Sequence, residues 1–254
     1  MSESEFLPTS WTASDRCLRE GLRIYAVGDV HGRADLLREL LLKITSDLKA
    51  NPARSPIVVF LGDYIDRGPQ SAAVIDCVLT VQRIIPTICL SGNHEIYALR
   101  FLRDPHSGPE WFELGGRETL ASYGITVPWR LTGPIIQQLS AAFAAALPDA
   151  HLRFLTTLGL TVSFGNYLFV HAGIDLSIPV PEQSHLTLTM IRKPFLDDGR
   201  SSGRIIVHGH SPVTEPDLRE NRINIDTGAY ITGRLTCVVL QNASLRWLSA
   251  SQDP

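Results

Sequence analysis

Five short polar clusters each follow an apolar run: Asp29 and His31; Asp63, Asp66 and Arg67; Asn93 and His94; His171; and His208 with His210. Together they offer carboxylate oxygens, imidazole nitrogens and an amide oxygen. That mixed donor set suits Mn, Fe or Zn better than Ca or Mg alone. Two cations about 3.5–4 Å apart need a shared carboxylate, and Asp63 is the candidate for it. Such a pair deprotonates water near neutral pH and clamps the oxygens of an in-line displacement at phosphorus. Taken singly, each residue has a plainer explanation. Asn93 reads as a turn residue, Arg67 as a salt-bridge partner, and a strand-end His or Asp as a surface or capping group. Taken jointly, five separate strand ends would need ligand-type residues by coincidence.

The elements that deliver these clusters follow from hydrophobic patterning. Residues 23–30 read as a strand that runs into Gly28 and Asp29. A helix over 34–50 follows, with Leu36, Leu37, Leu40, Leu41 and Ile44 on one face. Residues 57–63 form a second strand, and Pro69 opens a helix over about 70–83. Residues 87–91 form a third. Strand, loop and helix in repetition imply right-handed crossovers and a largely parallel sheet. From 95 to 158 strand signal is scarce; helices are expected over 95–103 and 135–146. That stretch is a helical cap or insertion (104–158), or merely covers one sheet edge. Gly165-Asn166 between two short apolar runs is a hairpin signal. Further strands are expected over 204–207, 223–226, 235–241 and 245–248. Hairpins this late suggest a second, mixed or antiparallel sheet packed on the first.

Composition sets the bounds. A chain of 254 residues, 44% hydrophobic and 19% charged, is long enough for a large core. It is expected to be a single domain over 1–254, with residues 1–21 as an N-terminal arm. The net charge of -3 gives no electrostatic case for nucleic acid or an anionic membrane. No apolar run reaches the roughly 18 residues of a membrane span, and no apolar stretch marks a secretory signal. The cysteines, Cys17, Cys77, Cys89 and Cys237, are scattered and read as reduced thiols. A cytoplasmic location is the expectation.

In order along the chain, GDVHG (28–32), GDYIDRG (62–68), GNHE (92–95), HAG (171–173) and GHSP (209–212) resemble the motifs of the calcineurin-like metallophosphoesterases. More narrowly they resemble the phosphoprotein phosphatase branch in its small bacterial and phage form. The resemblance runs from about residue 23 to 240. It implies an α/β fold of two packed mixed sheets flanked by helices, and two divalent metal ions, Mn foremost, with Fe or Zn as alternatives. It implies that Asp29 and His31 hold one metal, that Asp63 bridges, and that Asn93, His171 and His210 complete the other. His208 is implied to be a neighbour rather than a ligand. Pro212 stands where other branches carry a further His, so solvent is implied to fill that position. His94 resembles the general acid and Asp66 its orienting partner. Arg67 resembles a phosphate-gripping residue, and Arg192, in an IR-x-x-F pattern, a second. Asp226, in an IDTG segment, is implied to be supporting or structural.

The leading expectation is a protein phosphatase acting on phospho-Ser/Thr, or phospho-Tyr, of a protein or peptide through metal-activated water. The rival is a symmetrical dinucleoside-tetraphosphate hydrolase acting on small nucleotides. Those usually carry Ala where Asp66 stands and GNHD in place of GNHE. A catalytically silent scaffold is a third reading, opposed by the intact motifs.

Overall fold

A computed structural model of the protein describes residues 17–252; most of the expected N-terminal arm lies outside them. The chain opens with β1 (Leu22–Val27), α1 (Ala34–Ala50), β2 (Ser55–Phe60), α2 (Ser71–Gln82), β3 (Thr87–Cys89) and α3 (Asn93–Arg103). A helical stretch follows: α4 (Gly108–Trp111), a π turn (Phe112–Gly116), α5 (Arg117–Ser122), α6 (Gly133–Ala146) and α7 (Asp149–Thr156). Then come β4 (Thr161–Phe164), β5 (Tyr167–Val170), α8 (His185–Met190), α9 (Lys193–Leu196) and β6 (Ile205–His208). The last elements are β7 (Asp217–Leu218), β8 (Arg222–Asn224), α10 (Ala229–Thr232), β9 (Arg234–Gln241) and β10 (Ser244–Ser251).

These strands make two mixed sheets, ordered β10-β9-β1-β2-β3 and β4-β5-β6-β8-β7. Strands β1, β2 and β3 are parallel, as are β5, β6 and β8. Late hairpins were expected to build the second sheet. The β4–β5 hairpin does so, whereas β9–β10 extends the first, with β9 antiparallel to β1. Strand β9 fits there because both its faces are apolar. Cys237 and Val239 face the helical layer, and Val238 and Leu240 face the other sheet.

The same alternation sorts every central strand. Tyr25 and Val27 of β1, with Val58 and Phe60 of β2, pack against the helical layer of α1 and α2. Ile24, Ala26 and Val59 meet Tyr167, Phe169 and Val207 between the sheets. Leu168, Val170 and Ile206 pack outward on Leu188 of α8 and Phe195 of α9. The result is four layers, helix–sheet–sheet–helix, and strands buried on both faces read as continuous apolar runs.

Strands β1 and β2 stop at Val27 and Phe60, three residues short of the expected ends. Beyond them the backbone turns left-handed at His31 (φ 45°), Asp63 (51°), Asp66 (71°), Arg67 (69°) and, after β6, His210 (65°). Asn242, in the β9–β10 turn, is the other non-glycine residue with positive φ among the described residues. Strained backbone of this kind clusters where a fold holds side chains for function. Among the described residues no helix is long and apolar enough to cross a membrane.

Candidate active site

The C-terminal ends of β1, β2 and β3 in one sheet and of β5 and β6 in the other meet around Asp63. Its Oδ2 lies 3.5 Å from His31 Nε2, 3.4 Å from His171 Nε2 and 3.8 Å from His94 Nε2. Each ring is set by its other nitrogen. His31 Nδ1 donates to the Ile65 carbonyl at 3.0 Å, and His171 Nδ1 to the Leu61 carbonyl at 2.9 Å. That hydrogen bonding leaves each Nε2 to face Asp63. Asn93 Oδ1 is 3.3 Å from His171 Nε2. Asp29 Oδ2 accepts the His210 backbone N–H at 2.9 Å.

These loops pack backbone to side chain. A Cβ on Gly92 would lie 2.0 Å from Asp63 Oδ1, and one on Gly209 would lie 2.0 Å from Asp29 Oδ1. Glycine is therefore required at both positions if the two carboxylates are to stay in place. Glu95 stitches the loops together: its carboxylate accepts the N–H groups of Asp63 (3.0 Å), Tyr64 (2.8 Å) and Gly92 (2.9 Å).

The donors fit a pair of cations. Asp29 Oδ1 and His210 Nε2 are buried with no hydrogen-bond partner, a costly state that a metal ion would relieve. The donor atoms of Asp63, His171 and His210 lie within 4.8 Å of one another, as do those of His31, Asp63 and His94. Asp63 is common to both groups. Burial pushes His31 and His210 down to about 3, so both are neutral imidazoles, the form that ligates metal. Burial also raises Asp29, and Asp226 beside it adds to the shift. Burial works the other way on Asp63 than its neighbours do: His171 and His94 outweigh it and hold the carboxyl well below the usual range.

A polar cavity of about 180 Å³ opens over this floor, walled by His31, Asp63, Arg67, His94, Arg192 and His210. His94 Nδ1 is 2.7 Å from Asp66 Oδ2. Burial lowers the His94 value, yet Asp63 and Asp66 prevail and raise it. Arg67 NH2 is 3.4 Å from His94 Nε2, and the Arg67 guanidinium donates to and lies over Tyr230, 4.5 Å from the ring centroid. Arg192 stands exposed at the rim, in the break between α8 and α9. Pro212 lines the same cavity.

Asp226, expected to be supporting or structural, forms part of the cavity wall. His208 does not line it. Its ring packs on Phe195 at 5.1 Å, on the outer face of the second sheet. The sequence reading missed Tyr230 and the stitching role of Glu95. It also missed Trp111 and Thr119, which bond to Asp66 from the helical stretch at 2.8 and 2.5 Å. An unpaired buried indole or hydroxyl is costly, and that is the signal that each needed a polar partner.

Comparison with known proteins gives the arrangement a family. A profile for calcineurin-like phosphoesterases, hydrolases with a dinuclear divalent metal centre, matches residues 22–237. A relative in Oceanobacillus iheyensis, named bis(5'-nucleosyl)-tetraphosphatase PrpE [asymmetrical], is 27% identical over 85% of this chain and 87% of its own. Two solved structures share the fold. One is a putative diadenosine tetraphosphatase (TM-score 0.59, 18% identity, 90% of this chain and 93% of that one). The other is a cold-active protein-tyrosine phosphatase of a Shewanella species (TM-score 0.56, 18% identity, 96% and 84%). The profile match takes in every residue placed around the cavity, and the chain belongs to the calcineurin-like phosphoesterases.

Proposed function

We propose that this hydrolase acts on phosphomonoesters carried by a protein or peptide, as a dimetal-dependent phosphatase. The observation that carries the reading is the cavity. At about 180 Å³ it is smaller than the roughly 300–1,000 Å³ of sites that enclose whole small molecules. It suits one phosphoryl group, with the body of the substrate left outside. Asp29, His31, the shared Asp63, Asn93, His171 and His210 would hold two divalent ions. When bound, these supply an activated water and positive charge for the phosphoryl oxygens. Mn fits the mixed donors, as do Fe and Zn.

The chain's own groups would do the rest. Arg67 presents a planar fork to phosphate oxygens and is steadied by Tyr230. Arg192 approaches from the rim. His94 hands a proton from Nε2 to the leaving oxygen, while Asp66 holds its Nδ1–H. The guanidinium 3.4 Å from His94 Nε2 disfavours a metal ion on that nitrogen; it also opposes protonation of the ring, which Asp63 and Asp66 favour more strongly.

A second reading, hydrolysis of dinucleoside tetraphosphates, is favoured by the name of the Oceanobacillus relative, which is the asymmetrical type rather than the symmetrical one. Rates on phosphopeptides and on diadenosine tetraphosphate, measured side by side with Mn, separate the two. We expect faster turnover of phosphopeptide, abolished by EDTA. A preference for the dinucleotide of about 100-fold or more in kcat/KM overturns the substrate assignment, and full activity in chelator overturns the metal assignment.

A further inference from the structure

We infer that Trp111 and Thr119 are positioning residues that clamp the Asp66 carboxylate and so aim the His94 imidazole at the leaving oxygen. The inference rests on the reading of His94 as proton donor. Asp66 is wholly buried. Its Oδ2 accepts from Trp111 Nε1 at 2.8 Å and pairs with His94 Nδ1 at 2.7 Å. Its Oδ1 accepts from Thr119 Oγ1 at 2.5 Å. An indole N–H can only donate, and a hydroxyl has one hydrogen. Both carboxylate oxygens are therefore acceptors, and His94 Nδ1 is left as the donor to Oδ2. The tautomer and tilt of the imidazole follow.

Thr119 does more than donate. Its oxygen accepts the Asp66 backbone N–H at 2.8 Å and sits 3.0 Å from Ser71 Oγ. With its hydrogen on Oδ1 and two lone pairs used, the hydroxyl is fully satisfied in one arrangement. It holds both ends of Asp66, backbone and carboxylate, in the left-handed conformation (φ 71°) that aims the side chain. The indole cannot swing away, because Trp111 is packed against Phe101 at 5.2 Å and Phe143 at 5.5 Å. The π turn between α4 and α5 brings both donors to Asp66, and the Gly115 carbonyl in that turn also accepts the Arg67 N–H at 3.3 Å. This helical stretch thus reaches the reacting groups rather than only covering a sheet edge.

The test uses leaving groups. An acid matters for a poor leaving group and little for a good one. Wild type, Trp111→Phe, Thr119→Val, Thr119→Ser and His94→Asn would be compared, with Mn, on phenyl phosphate and 2,4-dinitrophenyl phosphate. For Trp111→Phe and Thr119→Val we expect kcat on phenyl phosphate to fall about tenfold and kcat on the dinitrophenyl ester less than about threefold. KM and bound Mn should stay unchanged. Thr119→Ser, which keeps the hydroxyl, should match wild type. Equal losses on both substrates point to a structural role and overturn the clamp, as does wild-type kcat on both. If His94→Asn itself shows no leaving-group dependence, the reading of His94 fails, and the clamp with it. Should Thr119→Val not fold, Trp111→Phe decides, since it removes one N–H and keeps an aromatic ring.

Discussion

His171 and Asp63 hold each other ionised. Burial pushes the imidazole down, but the Asp63 carboxylate 3.4 Å away outweighs it and lifts His171 to about 10. A metal ion needs the neutral ring, so loading must displace that proton. His171 keeps it at every pH below about 10, so metal affinity should strengthen as pH rises through neutrality. Titrating Mn into metal-free protein by calorimetry, in two buffers of different ionisation enthalpy, should reveal proton release. Identical heats in both buffers would mean that His171 is already neutral or is not a ligand. The neighbouring His31 and His210 are held neutral by burial and should release nothing.

Among the elements, α1 is fastened to the first sheet through one carboxylate. Asp47 accepts from Arg246 of β10 at 2.6 Å, from Arg23 of β1 at 3.3 Å, and from the Tyr25 hydroxyl. Asp47→Ala strands the buried Arg23 guanidinium, which keeps Gln241 and the Asn51 carbonyl. The cost should sit near the low end for a broken buried pair, about 3 kcal/mol, which lowers Tm by about 6–12 °C. Burial raises the Asp47 value, but the Arg246 and Tyr25 bonds prevail and depress it. Its contribution is therefore present above the ordinary carboxylate range and lost as pH falls through the depressed value. Tm against pH for both proteins should show the gap closing in acid; a constant gap would show that the loss is packing alone.

Element α1 was legible because five apolar side chains share one helical face, and its ends fall at 34 and 50 as expected. Strand ends were misjudged because Val30 and Leu61 prolong the apolar pattern, while the ladders stop at Val27 and Phe60, ahead of the left-handed backbone at His31 and Asp63. The partner of β9 was not legible, since β1 lies more than 200 residues earlier and only tertiary pairing selects it. Trp111 and Thr119 were hidden for a similar reason. Each contributes through single polar atoms, from a stretch with no periodicity that points toward Asp66.

The molecule as a whole carries a cost at this site that the metal is expected to reverse. Asp29 and Asp63 come from the first sheet, His171 and His210 from the second, and the apolar core between the sheets lies beneath them. Without a cation, burial and then Asp226 raise the Asp29 value above its ordinary one. The folded state thus disfavours the Asp29 carboxylate, and stability is lost as pH rises above the ordinary carboxylate range. Asp29→Asn removes that charge. At pH 7.5 and free of metal, the variant should therefore melt above wild type. Saturating Mn inverts the order. At 100 times Kd a ligand that binds only the folded state adds about 2.7 kcal/mol, or about 5–11 °C for a protein of this size. The variant, lacking an anionic oxygen at the site, should gain little. Scanning calorimetry of both proteins with and without Mn reads all four values. A variant less stable than wild type in both conditions would mean that Asp29 serves the fold itself. The crossing is expected only if the partnerless oxygen between the two sheets is kept for a cation that joins them.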